Sequence, residues 1–322
     1  MILAIETSCD DTCAAVLGAD GALRSNVISS QGVHDRFGGV VPEVAARHHL
    51  ELVDVVVDDA LARAGATLDD VELVAVTRGP GLVGALLVGV AAAKGLAAAR
   101  GLPLAPVDHL HGHVAATYLG GPEPPFLCLV ASGGHTFLAR VEDHAGFAVL
   151  GSTLDDAAGE AIDKGARMLG LPFPGGPHLQ RLAEGGDPQA FAFPRADGVP
   201  GLDFSFAGLK TALLYAVRDH PDARREDLAA SYQAAVVDQL VRRVERGLEA
   251  TGLERVAIGG GVAANGPLRA RLGGLGVPVH VPPRELCTDN AAMIASAARW
   301  VTPLPPGAYD DLEVYATGQG GL

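Results

Sequence analysis

The sequence has few cysteines, few aromatic residues and no excess of positive charge. It contains 4 cysteines, and its 24 Lys and Arg residues face 38 Asp and Glu residues, for a net charge of -14. The cysteines lack the density and the paired spacing of a disulfide scaffold, so we expect reduced, intracellular thiols. Because the acidic balance offers no general attraction for nucleic acid, any such substrate would require local basic patches or partner proteins.

Long hydrophobic runs are also scarce. The first six residues carry no basic segment and reach an acid at Glu6, unlike a secretory signal. The most apolar stretch, residues 82–93, is rich in Ala and Gly and ends at Lys94, short of what a bilayer span requires. We therefore expect a cytoplasmic protein, and 322 residues with 48% hydrophobic content are enough for two domains.

A β-hairpin pattern occurs twice in the chain. Apolar runs at 1–6 and 13–17 flank a polar turn, and runs at 126–131 and 137–141 flank the turn Ser-Gly-Gly-His-Thr. The repeat predicts two related halves, with strands alternating with helices in α/β layers around largely parallel sheets. We expect a first lobe at 1–122, a second at 123–300, and a tail, 301–322, that packs back on the first lobe.

Hydrophobic periodicity predicts the elements between and after the hairpins. Predicted helices span 42–64, 82–100, 156–169, 205–217, 226–250 and 291–300, with a further helix after Gly261. Predicted strands span 71–76, 104–107 and 256–258. Residues 174–177, Pro-Gly-Gly-Pro, are interpreted as a rigid turn.

Residues 109–113 read His-Leu-His-Gly-His. Because each residue of an α-helix turns about 100°, His109 and His113 share one face while His111 points away. Two histidines at this spacing are typical of helical metal sites, although the spacing alone fits ordinary packing equally well. A zinc peptidase would have Glu beside the first histidine, and Leu110 occupies that place.

Glycine-rich turns are the other candidates for chemistry. Residues 79–84 match G-x-G-x-x-G, but Pro80 lacks the N–H that a pyrophosphate would need. We interpret that run as a tight turn with close helix packing through Gly84, Gly89 and Gly95. The Ser132–Thr136 turn suits phosphate binding better, and the hydroxyls of residues 7–12 could act similarly, with Asp10 and Asp11 available to a metal or to water.

Three further segments contain residues that could take part in binding or in structure. The glycines at 259–261 and Asn265 would let a ring or a ribose lie against the backbone. Asp289 precedes a helix and is either its N-cap or a distant third metal ligand. The acidic and basic side chains of residues 156–164 are by default a solvated helix face.

Seven motifs follow one another along the chain: residues 5–10, His109-x3-His113, 132–136, 156–164, 174–177, 259–265 and 287–293. In this order they resemble the universal tRNA threonylcarbamoyladenosine transferase family, the bacterial TsaD proteins. The resemblance implies the actin/Hsp70/sugar-kinase (ASKHA) fold, with two similar α/β lobes around a nucleotide cleft. It also implies transfer of a threonylcarbamoyl group from threonylcarbamoyl-adenylate to N6 of adenosine 37, in tRNAs that read codons beginning with A, with release of AMP.

By the same resemblance, His109, His113 and Asp289 would hold one divalent metal ion, iron or zinc. Threonylcarbamoyl-adenylate, ATP or AMP would contact residues Val130, Ala131, Ser132, Gly133, Gly134, Asp163, Gly176 and Asn265. Asp11 would be the catalytic carboxylate, although relatives commonly have a longer Glu there. His111 replaces a Glu of the family and is expected to be no ligand. Gln180 replaces an Asp that contacts the adenylate in many relatives, so it is left out of the site.

The implied partners are tRNA, a shorter non-catalytic TsaB-type paralogue as heterodimer partner, a TsaE-type P-loop ATPase, and the synthase that makes the adenylate. A small-molecule kinase of the same superfamily is an alternative, but it would not need the histidine pair. A non-catalytic scaffold or a metallo-glycoprotease fits the sequence less well. The remaining basic candidates are either phosphate contacts or a solvated helix face: Arg242, Arg243, Arg269 and Arg271.

Overall fold

The computed structural model describes residues 1–37 and 39–316 of the chain. It divides into two compact units. The first contains the described residues of Met1–Gly120, His144–Gly146 and the described residues from Thr288 onward, and the second contains Gly121–Asp143 and Phe147–Cys287. The second unit thus ends at Cys287 and not at residue 300, because the helix after Thr288 packs on the strands of the first unit.

Each unit contains a five-stranded mixed sheet with the same strand order. The strands are β1 Ile2–Glu6, β2 Asp11–Leu17, β3 Leu23–Ser30, β4 Leu73–Gly79, β5 Leu104–Asp108, β6 Phe126–Ala131, β7 Thr136–Asp143, β8 Gly146–Ser152, β9 Val256–Gly259 and β10 Val279–His280. Their orders are β3-β2-β1-β4-β5 and β8-β7-β6-β9-β10. In both sheets the first strand is antiparallel to its hairpin partner and parallel to the next strand in the order. This shared topology confirms the prediction of two similar α/β lobes.

The helices lie close to their predicted bounds. They are α1 Pro42–Ala64, α2 Val83–Arg100, α3 His109–Ala115, α4 Ala158–Met168, α5 Gly175–Ala183, α6 Ala207–Asp219, α7 Arg225–Thr251, α8 Gly266–Gly273 and α9 Ala291–Ala298. The rigid turn expected at 174–177 was wrong, since α5 begins at Gly175 with Pro174 as its N-cap. Pro177 fits the first turn of that helix because the N–H groups there have no partner within the helix.

The helix α2 meets the length and hydropathy criteria for a membrane span, with 33% of its residues buried. In this structure it packs on α1 and β4, and its buried positions are mostly Ala, Gly and Val. Residues 299–316, which follow α9, pack on the same unit. Tyr309 is buried in its core, and Lys94 of α2 donates to the carbonyls of Asp310 and Leu312 at 2.9 and 3.0 Å.

Candidate functional site

The helix α3, which carries the histidine pair, begins directly at the end of β5. Asp108 caps it: Oδ1 accepts hydrogen bonds from the backbone N–H groups of Leu110 at 2.8 Å and His111 at 3.0 Å. An N-cap of this kind fixes where a helix starts and how its first turn is oriented. His109 is therefore the first helical residue, and His113 lies about one turn further along the same face.

The structure brings His109, His113 and Asp289 together. Each offers one donor atom, and the three atoms lie within 4.8 Å of one another. Asp289 Oδ1 is 3.7 Å from His109 Nε2 and 3.3 Å from His113 Nε2. Both ring nitrogens of His113 are buried without a hydrogen bond in the part of the chain that the structure describes. Two imidazoles and a carboxylate form a donor set that suits Fe²⁺ or Zn²⁺, so these residues fit a divalent cation.

Asp289 does not cap the following helix, because its neighbour Asn290 does so. The side chain of Asn290 accepts from the N–H of Met293 at 3.0 Å, so the interpretation of Asp289 as the N-cap of α9 was wrong. The helices α3 and α9 pack closely, since a Cβ built on Gly112 would lie 2.8 Å from Cδ1 of Ile294. Close packing of these two helices holds the carboxylate beside the two imidazoles.

Glu6 supports His109 from the end of β1, a residue that the sequence analysis did not assign to the site. Its side chain is fully buried, and Oε2 lies 3.1 Å from His109 Nδ1 and accepts from Thr77 Oγ1 at 2.5 Å. Metal-binding histidines commonly donate their second ring N–H to a carboxylate in this way, which fixes the orientation of the ring. The sequence feature that could have revealed Glu6 is an acidic residue at the end of an otherwise apolar strand.

Electrostatics at His109 follow from its neighbours. Burial alone would lower the pKa of the imidazole, but the charges of Glu6 and Asp289 outweigh that effect and raise the pKa to about 9. Burial opposes the charged form of Glu6 as well, yet His109 and the hydrogen bond from Ser8 hold the pKa of that carboxyl below its usual range. His109 therefore lies between two acidic groups that favour a cation at this place.

His111 lies elsewhere, as the helical spacing predicted. Its Nε2 is 3.1 Å from the carbonyl oxygen of His144, and the cluster of donor atoms does not include it.

Asp11, the expected catalytic carboxylate, is the first residue of β2. Its pKa is raised to about 7, first by burial and then by the charges of Asp289, Asp10 and Glu6, against a hydrogen bond from Ser30 that lowers it. A carboxylate that titrates near neutrality can exchange a proton under working conditions. The carboxyl of Asp11 thus has a raised pKa, and part of that rise comes from the charge of the candidate metal ligand Asp289.

Two hydroxyls of the first hairpin turn are not available to phosphate. Thr7 Oγ1 donates to the carbonyl of Ala85 at 2.9 Å, and Thr12 Oγ1 is 2.8 Å from His49 Nδ1. The expectation that these two side chains bind phosphate was therefore wrong. Both bonds hold the turn against α1 and α2.

The glycine-rich run at 79–84 packs closely against its surroundings. A Cβ on Gly81 would lie 2.6 Å from the carbonyl oxygen of Ser8, and one on Gly89 would lie 2.3 Å from Thr7 Oγ1. The interpretation as a tight turn holds for Gly81, and close helix packing holds for Gly89 and for Gly84, where a Cβ would lie 3.4 Å from Cβ of Ala46. Close packing does not hold for Gly95, where a Cβ would meet nothing within 4 Å.

In the second unit, the turn Ser132–Thr136, which we expected to suit phosphate binding, lies where the parallel strands β6 and β9 end. Ser132 N donates to His135 O at 2.7 Å and closes the turn. Gly133 and Gly134 are exposed, and a Cβ on either would meet nothing within 4 Å. Val130 and Ala131 are fully buried in the sheet, so their side chains serve the core. The carboxyl ends of parallel strands are the usual place for ligands in α/β sheets.

The helix α4 starts against this turn. Gly159 N donates to Ser132 O at 3.0 Å, and a Cβ on Gly159 would lie 2.6 Å from that oxygen. Asp163, one helical turn later, accepts from Gly175 N at 2.8 Å. Burial raises the pKa of Asp163, while hydrogen bonds from Gly175 and Gly176 lower it. These contacts place Asp163 beside the glycines that open α5.

The side-chain oxygen and nitrogen of Asn265 are both hydrogen-bonded within the protein. Its Oδ1 accepts from the N–H of Leu268 at 3.0 Å and caps α8, and its Nδ2 donates to Gln233 Oε1 at 3.0 Å. Gln180, which we excluded from the site, accepts from Gly266 N at 2.9 Å. Gln233 is a buried partner that sequence reasoning missed, because a polar residue inside a long helix carries no signal of its own.

The candidate phosphate-binding arginines have protein partners. Arg242 contacts Asp197 at 2.8 Å and Arg271 contacts Asp238 at 2.6 Å. Arg269 donates to Ala263 O at 2.5 Å. Arg243 is only 3% exposed and bonds to the carbonyls of residues 196, 199 and 203. The solvated-face interpretation was therefore wrong for Arg243, which is a structural residue.

Solved structures share this fold at low sequence identity. Component A of (R)-2-hydroxyglutaryl-CoA dehydratase from Acidaminococcus fermentans aligns with a TM-score of 0.57 and 15% identity, covering 93% of this chain and 96% of that chain. Full-length HypF, in its phosphate- and nucleotide-bound form, aligns with a TM-score of 0.60 and 14% identity over 92% of this chain and 45% of that chain. Together with the repeated sheet, these likenesses confirm the predicted ASKHA fold with two α/β lobes.

Sequence relatives are much more similar. The tRNA N6-adenosine threonylcarbamoyltransferase of Moorella thermoacetica is 52% identical, covering 97% of this chain and 96% of the relative, and that of Symbiobacterium thermophilum is 50% identical, covering 100% and 97%. The profile of the TsaD family, described as tRNA N6-adenosine threonylcarbamoyltransferase, matches residues 22–296. The chain therefore belongs to the tRNA N6-adenosine threonylcarbamoyltransferase family.

Proposed function

We propose that this chain transfers the threonylcarbamoyl group from threonylcarbamoyl-adenylate to N6 of adenosine 37 in tRNAs that read codons beginning with A, releasing AMP. The observation that carries the proposal is the cluster of the buried His109 and His113 with the half-buried Asp289, in a chain 52% identical to a relative named tRNA N6-adenosine threonylcarbamoyltransferase. A small-molecule kinase has no use for this set, and a glycoprotease would need a glutamate where Leu110 stands.

Two imidazoles and one carboxylate would bind the cation that assists the transfer. His109, His113 and Asp289 would hold Fe²⁺ or Zn²⁺, which supplies Lewis-acid polarisation of the threonylcarbamoyl carbonyl. Glu6 keeps the Nδ1 proton of His109 and so directs Nε2 toward Asp289. Asp11, whose pKa is raised mainly by burial, would accept the proton that the adenosine amino group loses on attack.

The adenylate, or ATP or AMP, would bind along the edge of the second unit's sheet. The backbone of Ser132, Gly133 and Gly134 is open to phosphate oxygens there, with Asp163 and Gly176 beside α5 and Asn265 at the start of α8. Two structures of similar fold carry nucleotides, HypF and the activator of 2-hydroxyisocaproyl-CoA dehydratase with ADPNP. Their similar fold supports a nucleotide site in this chain, but the contacts proposed above are argued from this chain's own residues.

Partners follow from the surface and the charge. Four large apolar side chains are exposed on the neighbouring helices α1 and α2: Leu50, Val55, Val83 and Leu87. We assign Val83 and Leu87, which are four residues apart and share one side of α2, to the interface with the TsaB-type paralogue, because burial there would remove these side chains from water. At a net charge of -14, tRNA binding would depend on this partner and on the TsaE-type ATPase. We further propose that the adenylate synthase acts upstream and that the reaction takes place in the cytoplasm.

The test is a reconstituted modification assay. Unmodified tRNA is incubated with threonine, bicarbonate, ATP, the adenylate synthase, both partners and this chain, and the modified adenosine is measured by mass spectrometry. Wild type and His111→Ala should form it, whereas His109→Ala should lose at least about tenfold in rate, since loss of a ligand removes the cation. Absence of product with wild type and every component present would refute the assignment, and equal rates for all three proteins would refute the role of the histidine.

A further inference from the structure

The last described residues of the chain, Tyr315 and Ala316, pack against the turn that follows β4. Tyr315 N donates to the carbonyl of Arg78 at 3.1 Å, and Ala316 forms a parallel bridge with Gly81. The guanidinium of Arg78 lies over the Tyr315 ring, 5.2 Å from its centroid. The segment is also anchored further back, by Tyr309 in the core and by Lys94. Tyr315 is thus held by backbone and ring contacts on the first unit.

The hydroxyl of Tyr315 donates to Asp108 Oδ2. The other oxygen of the same carboxylate, Oδ1, caps α3 through Leu110 and His111. Burial, and then the bond to Asp108, raises the pKa of the tyrosine, so the hydroxyl keeps its proton and remains a donor. One carboxylate therefore links the C-terminal segment to the helix that carries both histidines.

Gly79 and Gly81, which have no part in the proposed reaction, make room for the contacts of Tyr315. Gly79 has a φ of 150°, and a Cβ there would lie 2.5 Å from the carbonyl oxygen of Tyr315 and 2.9 Å from its ring. On the other side of the turn, Gly81 touches Ser8, whose hydroxyl is 3.2 Å from His109 Nδ1. The glycines let the turn fit between Tyr315 and a neighbour of His109.

We propose that Tyr315 is a positioning residue for the metal ligands: through Asp108 it fixes the first turn of α3, and with it the angle at which His109 and His113 meet Asp289. This inference rests on the proposed metal site. Nothing in it requires Tyr315 to touch substrate or cation. The hydroxyl alone is the functional group, since the ring contacts with Arg78 and Gly79 would survive its removal.

The test measures the metal site directly, with Co²⁺ as the probe. Co²⁺ is titrated into metal-depleted protein, and its affinity and d–d absorption spectrum report the number and geometry of the ligands. The variants are Tyr315→Phe, the matched control Tyr309→Phe in the same segment, Asp108→Ala, and Asp108→Ala combined with Tyr315→Phe. Thermal unfolding of each metal-free protein monitors general stability.

Tyr315→Phe should weaken Co²⁺ binding by about 3- to 10-fold and alter the d–d bands; this is less than the roughly 10- to 100-fold loss typical of residues that contact a metal ligand directly, because Tyr315 acts through Asp108. Tyr309→Phe should leave both unchanged. In the Asp108→Ala background, Tyr315→Phe should have no further effect, because the link is already broken.

Unchanged affinity and spectrum for Tyr315→Phe, with wild type binding Co²⁺, would overturn the positioning role and leave the metal site intact. An equal further loss in the Asp108→Ala background would also overturn it, since Tyr315 would then act by another route. Failure of wild type to bind Co²⁺ would refute the metal site itself, and the positioning role with it.

Discussion

Replacing Gly159 with alanine should disturb the second unit at the turn where we place the nucleotide. The new Cβ would lie 2.6 Å from the carbonyl oxygen of Ser132 and 2.9 Å from the Cα and N of Gly133. A comfortable carbon–oxygen contact is roughly 3.3 Å, so α4 and the turn must separate by about 0.7 Å. The obstructing atoms are backbone, and they cannot rotate out of the way.

The expected cost of such overpacking is about 1–3 kcal/mol in the free energy of unfolding. The bond from Gly159 N to Ser132 O, now 3.0 Å, would lengthen at the same time. Because Gly133 and Gly134 follow directly, the displacement should also weaken the binding of ATP or AMP.

Gly208 provides the matched control. It is the second residue of α6, as Gly159 is the second residue of α4, and a Cβ there would meet nothing within 4 Å. Gly208→Ala should be neutral or stabilising by up to about 1 kcal/mol. Thermal unfolding by circular dichroism and nucleotide titration by calorimetry would compare the two variants. The reasoning fails if Gly159→Ala is as stable as Gly208→Ala and binds nucleotide equally well.

Two further predictions concern buried charge. The pKa of Asp11 is about 7 in the folded protein against 3.8 ordinarily, so ionisation of this carboxyl opposes folding. Asp11→Asn should therefore stabilise the metal-free protein by an amount that grows as the pH rises from 4 to 7. A melting-temperature difference between the two proteins that does not change with pH would contradict this. Arg243→Met should cost about 2–4 kcal/mol in urea unfolding, because it removes a buried guanidinium that donates to three half-buried carbonyls. Arg242→Met, which loses only an exposed ion pair with Asp197, should cost less than about 1 kcal/mol, and equal costs would be inconsistent with this assignment.

Much of the fold could be predicted because local patterns agree with the tertiary structure. The bounds of α1 match its periodicity, with Pro42 at the start and Gly65 in the left-handed conformation at the end. The strands β3 and β8 were missed because their alternation is irregular: β3 reads Leu-Arg-Ser-Asn-Val-Ile-Ser-Ser, with polar residues on both faces. Their position is fixed by pairing with neighbouring strands, which a local pattern does not encode.

The site was predictable where spacing within one element carried the signal. The His109 and His113 pair follows from helical geometry, while Asp289 was left between two roles until Asn290 proved to be the cap. Glu6 and Tyr315 depend on contacts 103 and 207 residues apart in the chain. No local pattern predicts such contacts, so these supporting residues become visible only in the folded structure.

The central claim is that His109, His113 and Asp289 hold a cation needed for threonylcarbamoyl transfer, and its most direct test is metal reconstitution of the depleted protein. Modified adenosine is measured as Fe²⁺ or Zn²⁺ is added to the wild type and to His113→Ala, with bound metal counted per chain. We expect wild type to recover transfer as one equivalent binds, and His113→Ala to recover neither. Full transfer by metal-free wild type, or one tightly bound equivalent in His113→Ala, would contradict the account.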